Sequence, residues 1–74
     1  MNLFEVPIGK MVKITKVNGE GALRRRRLDM GLTPNTNVTI RKVAPMGDPI
    51  ELFLRGYSLS IRLDDAKKIE VEEV

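Results

Sequence analysis

The chain has 74 residues and a formal net charge of +3, and it contains neither cysteine nor histidine. This length predicts a single domain, residues 1–74, because it is too short to build two cores. Without cysteine the chain forms no disulfide and offers no thiolate to a metal. Because it also lacks histidine, Ser58, Ser60 and the threonines lack the usual base of nucleophilic catalysis, and we predict that the chain is not an enzyme.

Location and partners follow from hydropathy and charge. The chain does not open with a basic start and an apolar core, and no stretch approaches the ~18–20 apolar residues that cross a bilayer. We therefore predict a cytoplasmic protein. Residues 10–42 carry nine basic side chains against two acidic ones, whereas residues 64–74 carry five acidic against two basic. The basic region favours nucleic acid, anionic lipid or an acidic protein surface as partner.

The first half of the chain predicts one strand and one helix. Apolar and polar residues alternate over 10–17, which is the period of a half-buried strand. Good helix formers follow and predict an α-helix over roughly 20–30. Gly31 occupies the position of a left-handed C-terminal cap, and Pro34 confirms that the helix has stopped.

The second half predicts four strands and a short helical turn. The same alternation predicts strands over 37–44, 50–55, 58–63 and 69–74. A helical turn near 64–68 follows the fourth strand, with Asp64 as its N-cap. A sheet of short strands, each apolar on one face, protects its edges best by curling. We therefore predict a mainly β fold, a small SH3-like barrel of about five strands with one inserted α-helix.

Four consecutive arginines, residues 24–27, dominate the predicted helix. At about 100° per residue they spread over about 300° and cannot form one face. Leu23 and Met30 are seven positions apart and share a side with Arg27, so we place these three toward the core. The Arg27 stem is then expected to cover apolar surface while its guanidinium reaches water or a carboxylate.

The other three arginines are predicted to point outward. They are Arg24, Arg25 and Arg26. They form either an ordinary solvated helix face or a docking face for an acidic partner. A basic SH3-like module is also compatible with RNA or DNA, but only Phe4, Phe53 and Tyr57 offer rings for base stacking. We expect an acidic protein partner and no nucleic acid.

Residues 44–52 form a turn with two prolines and a glycine between the second and third predicted strands. Pro45, Met46 and Gly47 are candidate partner-binding residues, because a proline-stiffened loop loses little entropy on binding. Met46 either forms an exposed apolar tip or folds back over the end of the barrel.

Metal binding depends on oxygen ligands alone, and no run of carboxylates resembles a calcium loop. The weak candidates are Asp48, Glu51, Asp64 and Asp65. Three of them have structural interpretations: Asp48 as a turn residue, Asp64 as a helix cap and Glu51 as a solvent-facing strand position. We expect no cofactor and at most weak binding of a divalent metal.

Three segments, in order, resemble motifs of one family. Residues 26–35 (Arg-Arg-Leu-Asp-Met-Gly-Leu-Thr-Pro-Asn) are similar to the helix end R-L-x-x-L/M-G-L-x-P-G of the FeoA family, small cytoplasmic proteins of bacterial ferrous iron transport. Residues 44–51 (Ala-Pro-Met-Gly-Asp-Pro-Ile-Glu) resemble its turn A-P-L-G-D-P-I. Residues 55–62 (Arg-Gly-Tyr-Ser-Leu-Ser-Ile-Arg) resemble its strand R-G-Y-x-L-x-L-R. Asn35 stands where the family usually has glycine, and asparagine is the next-best residue for a left-handed turn.

The resemblance implies a fold and a function. It implies an SH3-like barrel related to the C-terminal domain of iron-dependent repressors. It also implies an accessory or regulatory role in Fe(II) ion transport, through protein–protein interaction with FeoB, the membrane permease with a cytoplasmic GTP-binding domain. Transition metal ion binding is implied as well, here as weak binding of Fe(II). The alternatives are a small nucleic-acid-binding module and a weak metal-sensing domain.

Overall fold

Five short strands build one antiparallel sheet in the computed structural model, which describes residues 1–74. The strands are β1 (Met11–Val17), β2 (Asn37–Val43), β3 (Ile50–Leu54), β4 (Tyr57–Ile61) and β5 (Ile69–Glu73). The other elements are α1 (Gly21–Asp29), α2 (Leu63–Lys67) and a 3-10 turn (Leu3–Glu5). The predicted mainly β fold with one inserted helix is confirmed. No helix has both the length and the apolar character needed to cross a membrane.

The core lies on one face of the sheet, because alternate residues of a strand point to the same side. In β3, the buried residues Ile50, Leu52 and Leu54 alternate with the half-buried Glu51 and Phe53. The core consists of Leu3, Val6, Val12, Ile14, Val17, Leu32, Val38, Ile40, Ile50, Leu52, Leu54, Ile61, Ala66, Ile69 and Val71. These residues come from every strand, so the sheet must curl around them.

The sheet curls without closing. Its strand order is β4-β3-β2-β1-β5, and the two edge strands, β4 and β5, do not pair with each other. The register shifts between Ile14 and Lys16 in β1 and between Ile40 and Lys42 in β2. Such irregularities bend strands and increase their twist. The predicted barrel is therefore a strongly curved open sheet with β4 and β5 at its edges.

Helix α1 ends at Asp29, one residue earlier than predicted, and Gly31 has the left-handed φ of 97° expected for its cap. The prediction that Leu23 lies on the core side is wrong, since Leu23 is 62% exposed, whereas Met30 does pack against the core. Because the helix stops before Met30, the seven-residue spacing does not describe one face of it. Leu28 packs against the core instead.

Helix α2 begins at Leu63, and β4 accordingly ends at Ile61, before the predicted strand end. Its N-cap residue is Arg62, while Asp64 lies in the first turn, so the prediction of Asp64 as the cap is wrong. The capping oxygen comes from another segment. Asp48, in the β2–β3 loop, accepts a hydrogen bond through Oδ1 from the Leu63 N–H at 3.1 Å.

Candidate docking surface

Arg27 is buried and joins α1 to α2. Its Nε donates to Oδ1 of Asp65 at 2.8 Å, and its Nη1 donates to the backbone carbonyl of Asn18 at 3.1 Å. The Arg27 and Asp65 side chains are only 6% and 18% exposed. Gly19 leaves room for the guanidinium, since a Cβ added there would lie 2.7 Å from Nη1. The expectation of a buried stem with its guanidinium at a carboxylate is confirmed.

The three remaining arginines of α1 are exposed, as predicted, but they are not equivalent. Arg24 Nε donates to the carbonyl oxygen of Val17 at 3.0 Å, which holds this side chain against the end of β1. Arg25 and Arg26 take part in no side-chain hydrogen bond and no ion pair. None of these three guanidinium groups therefore has a carboxylate partner, and those of Arg25 and Arg26 are also free of hydrogen bonds.

One face of α1 forms a shallow cleft of about 560 Å³. Its lining residues are Gly21, Ala22, Arg24, Arg25 and Leu28. Leu23, on the same helix, adds a largely exposed apolar side chain. Small residues, an exposed leucine and free cations together suit a partner segment that carries both acidic and apolar residues.

The loop between β2 and β3 projects an apolar tip into solvent. Met46 is 90% exposed, so of the two alternatives for this residue the exposed tip is the one observed. The Ala44 N–H donates to the carbonyl of Pro49 at 3.0 Å, and the Gly47 N–H donates to the carbonyl of Ala44 at 2.7 Å. The Asp48–Pro49 peptide bond is cis. A cleft of about 310 Å³ at the base of the loop is lined by Lys42, Ala44, Pro45, Pro49, Glu51 and Ser60.

Helix α2 supports both candidate segments. Asp48 of the loop accepts a hydrogen bond from Leu63, and Asp65, two residues further on, binds Arg27 of α1. No hydrogen bond or ion pair joins the loop directly to α1. The arginine-rich helix and the loop, distant in the sequence, are therefore attached to one short helix.

The four carboxylates considered as metal ligands have separate environments. Asp48 accepts the hydrogen bond from α2, and Asp65 pairs with Arg27. Glu51 is half-buried in β3, and Asp64 is exposed in the first turn of α2. Nowhere does a group of three or more His, Cys, Asp or Glu side chains gather in a way that would hold a metal ion.

Each aromatic side chain has a polar contact within the molecule, although Phe4 and Tyr57 remain 47% and 41% exposed. The Arg41 guanidinium lies 4.1 Å from the Phe53 ring centroid, and the Lys67 ammonium lies 5.4 Å from that of Phe4. The Tyr57 hydroxyl donates to a backbone carbonyl at the end of α1 at 2.5 Å. Nucleic-acid bases stack on free aromatic faces, and in this structure a cation lies over one face of the Phe53 ring and of the Phe4 ring.

Two polar contacts that position this surface were missed from the sequence. Arg55 donates through Nη2 to the hydroxyls of Thr33 and Thr36, both at 2.9 Å, and thereby holds the segment that follows α1. Asp48 was predicted to be only a residue of its own turn, whereas in the structure it caps α2 through the Leu63 N–H. Neither contact has a local signal, because the partners lie at least 15 residues apart in the chain.

Comparison with known proteins identifies the family. Residues 1–73 match the FeoA domain. The chain belongs to the FeoA family. A relative from Porphyromonas gingivalis (strain ATCC BAA-308 / W83), an Fe(2+) transport protein A/Fe(2+) transporter FeoB fusion protein, is 39% identical over 72 residues. The match covers 97% of this FeoA chain but only 8% of that relative's length.

Solved structures agree with this assignment. The NMR structure of an FeoA-like protein from Clostridium acetobutylicum is 47% identical, with a TM-score of 0.91 over 100% of this chain and 86% of that one.

Two more distant structures show the fold alone. FeoA of Stenotrophomonas maltophilia, a prokaryotic SH3 domain protein complexed with zinc, is 21% identical, with a TM-score of 0.79 over 97% of this chain and 89% of that one. The metal-dependent transcriptional regulator MtsR is 15% identical, with a TM-score of 0.83 over 99% of this chain and 36% of that one. The SH3-like fold is confirmed, and the regulator MtsR contains a region of the same fold.

Proposed function

We propose that this FeoA domain serves bacterial Fe(II) uptake as a cytoplasmic accessory or regulatory protein that docks on an FeoB-type permease with a GTP-binding domain. The observation that carries the proposal is the relative in which Fe(2+) transport protein A and FeoB are fused. In that relative, the fusion keeps the transport protein A part and the FeoB part together in one molecule. A separate FeoA chain reaches the same arrangement by non-covalent docking, and Fe(II) is then the cargo of the permease.

The exposed side of α1 supports docking to an acidic surface. Arg25 and Arg26 carry uncompensated charge, and Arg24 extends the basic surface toward β1. Complementary charges steer association and select the partner more than they add affinity. Leu23 supplies apolar area, which contributes about 1.5–3 kcal/mol when such a side chain is fully buried by a partner.

The β2–β3 loop provides the second part of the proposed docking surface. Pro45, Met46 and Gly47 lie at its tip, and Met46 is almost entirely exposed. Because Asp48 fixes the loop to α2, little ordering is needed when a partner covers the tip. Preorganisation of this kind lowers the entropic cost of binding.

Charge reversal on α1 tests the proposal. We expect Arg25→Glu/Arg26→Glu to weaken binding to the purified cytoplasmic domain of the cognate FeoB about tenfold or more, because two attractive contacts become repulsive. Isothermal titration with and without guanine nucleotide measures the change. Lys16→Glu/Lys68→Glu is the matched control, since it makes the same charge change on exposed residues that lie outside α1 and α2 and form no ion pair.

Three outcomes separate the explanations. Unchanged binding of the arginine variant overturns docking through α1. Equal weakening in both variants shows that only net charge matters, which also contradicts a defined surface. Tight, steeply salt-dependent binding of RNA or DNA that the same change abolishes points to the nucleic-acid alternative instead.

A further inference from the structure

Strand β4 is an uncovered edge of the sheet. It pairs with β3 on one side and with no strand on the other. The opposite edge, β5, is partly covered by the N-terminal segment: the Val71 N–H donates to the carbonyl of Met1 at 2.8 Å, and Asn2 forms a bridge with Glu70. No segment of the chain makes equivalent bonds to β4. One of the two edges is therefore left open to solvent.

The β3–β4 turn determines which backbone groups face outward. The two-residue turn, Arg55 and Gly56, has φ values of 48° and 84°, as a type I′ hairpin requires. Leu54 and Tyr57, which flank this turn, are directly opposite each other and form a hydrogen-bonded pair. Such pairs alternate along the ladder, so residues 58 and 60 fall at positions that do not bond to β3.

Ser58 and Ser60 consequently direct their N–H and C=O groups away from the sheet. Both residues are exposed, and no other backbone or side-chain hydrogen bond uses these groups. Their alternating geometry matches the groups that a further strand presents. The edge therefore offers two donors and two acceptors in the arrangement of an unfilled ladder.

Strand β4 also lacks the features that usually protect an edge. Natural edges carry charged residues, proline or bulges. The sequence of β4, Tyr-Ser-Leu-Ser-Ile, contains no charge and no proline, and its register with β3 runs without a shift. In contrast, β5 carries Glu70, Glu72 and Glu73. The absence of these protective features at β4 permits a strand to be added.

The charges around β4 indicate what that strand carries. Arg55 precedes β4 and Arg62 follows it, and neither pairs with a carboxylate. Nη2 of Arg55 donates to Thr33 and Thr36, while its Nε and Nη1 make no hydrogen bond. Pairing of two copies about their Leu59 residues would set Arg62 of each copy beside the Arg55–Gly56 turn of the other. Like charges in such positions repel, which disfavours self-association in this register. An acidic segment satisfies both arginines.

We propose that the free edge of β4 binds an extended, acidic segment of a partner protein as a sixth strand of the sheet. Main-chain hydrogen bonds to Ser58 and Ser60 supply the affinity, as in other cases of strand addition. The two flanking arginines select acidic residues. This inference concerns a different surface from α1 and does not rest on the proposed function.

Two model peptides test the proposal on the intact 74-residue chain. One is an acetylated, amidated hexapeptide of alternating glutamate and valine, and the other replaces glutamate by lysine. We expect the acidic peptide to shift the amide resonances of Ser58 and Ser60 and to slow their hydrogen exchange severalfold. The basic peptide should leave both unchanged. Equal shifts with both peptides, shifts confined to α1, or no shift at millimolar peptide overturn the proposal.

Substitutions at the edge separate backbone pairing from charge. Ser58→Pro removes an outward N–H and should abolish binding of the acidic peptide, whereas Ser58→Thr keeps the N–H and should retain binding. Ser60→Glu should weaken binding and Ser60→Lys should strengthen it. A thermal melt of each variant checks that the domain is folded. If concentration alone shifts the β4 amides without peptide, the edge pairs with a second copy and the acidic partner is excluded.

Discussion

Arg27 shows how one side chain in a basic run differs from its neighbours. Its stem covers the core edge, and its guanidinium joins Asp65 to the carbonyl of Asn18 within a largely desolvated site. Removal of one partner from such a pair leaves the other charge without compensation, which costs more than the pair itself contributes. This arginine therefore stabilises the fold, while the flanking ones remain available to a partner.

Replacement of Arg27 tests this division of roles. We expect Arg27→Ala to lower the free energy of unfolding by about 3 kcal/mol, because Asp65 is left partly buried without its cation. Arg26→Ala, at an exposed position without contacts, should change it by less than about 0.5 kcal/mol. Urea denaturation measures both variants. Similar losses in the two variants would contradict the structural role of Arg27.

The ion pair between Lys10 and Glu73 determines the direction in which stability changes with pH at this site. The Lys10 ammonium donates a hydrogen bond to Glu73, and this bond, reinforced by the charge of the ammonium, holds the pKa of that carboxyl below its ordinary value of 4.5. A lowered folded-state pKa contributes stability above pH 4.5, and that contribution is lost as the pH falls through the folded value. The pair is exposed, so its effect on stability is small.

A titration followed by NMR measures this pKa directly. We expect Lys10→Met to raise the pKa of Glu73 toward 4.5, since the donor and its charge are both removed. Lys13→Met, which affects the neighbouring pair with Glu72 at 3.4 Å, should leave the Glu73 titration in place. An unshifted Glu73 curve in the Lys10 variant would show that the hydrogen bond does not form in solution.

At the scale of elements, local backbone chemistry was predictable and the packing of helix faces was not. Gly31 has the left-handed φ that its position after the helix requires, and Asn35, at 71°, keeps the turn in which the family usually has glycine. Leu23 faces solvent because α1 ends too early for a seven-residue spacing to define a face. The N-cap of α2 was missed because Asp48 reaches it from another loop, a contact set by tertiary structure alone.

The end of α1 offers a matched pair of glycine substitutions. Gly31→Ala and Gly9→Ala each place a Cβ at a left-handed φ, which costs roughly 1–2 kcal/mol. A Cβ at Gly31 also lies 2.5 Å from the Tyr57 hydroxyl, whereas one at Gly9 meets nothing within 4 Å. We expect Gly31→Ala to lower the melting temperature more than Gly9→Ala does. In a Tyr57→Phe background, which lacks that hydroxyl oxygen, the difference between the two losses of melting temperature should become smaller.

At the scale of the whole molecule, period-two alternation predicted all five strands, since one-sided burial is written directly into the sequence. The open sheet was not predictable in the same way. Whether edge strands meet depends on the bends at the register shifts of β1 and β2 and on the N-terminal segment beside β5, and none of these has a clear sequence signal. The outward orientation of Arg24, Arg25 and Arg26 was predictable from the sequence, but the attachment of α1 and the β2–β3 loop to α2 was not.

Because the core is small, each side chain at its centre contributes a large share of the stability of the domain. A 74-residue domain has a stability of about 4–11 kcal/mol at the usual value per residue, and we expect Leu52→Ala to remove about 2–5 kcal/mol of it. Leu23→Ala, on the exposed side of α1, should change stability by less than about 0.5 kcal/mol. Denaturant titration compares the two. Equal losses would mean that Leu23 is part of the core after all.

The five-residue helix α2 determines how the two parts of the proposed docking surface lie relative to each other. The β2–β3 loop is hydrogen-bonded to Leu63, the first residue of α2, and α1 is hydrogen-bonded to Asp65, the third. The length and direction of α2 therefore set the spacing and angle between the two clefts. A substitution within α2 alters that spacing while both clefts keep their own side chains. The spacing of the two clefts therefore depends on α2, whereas the chemical character of each cleft depends on the side chains of α1 and of the β2–β3 loop.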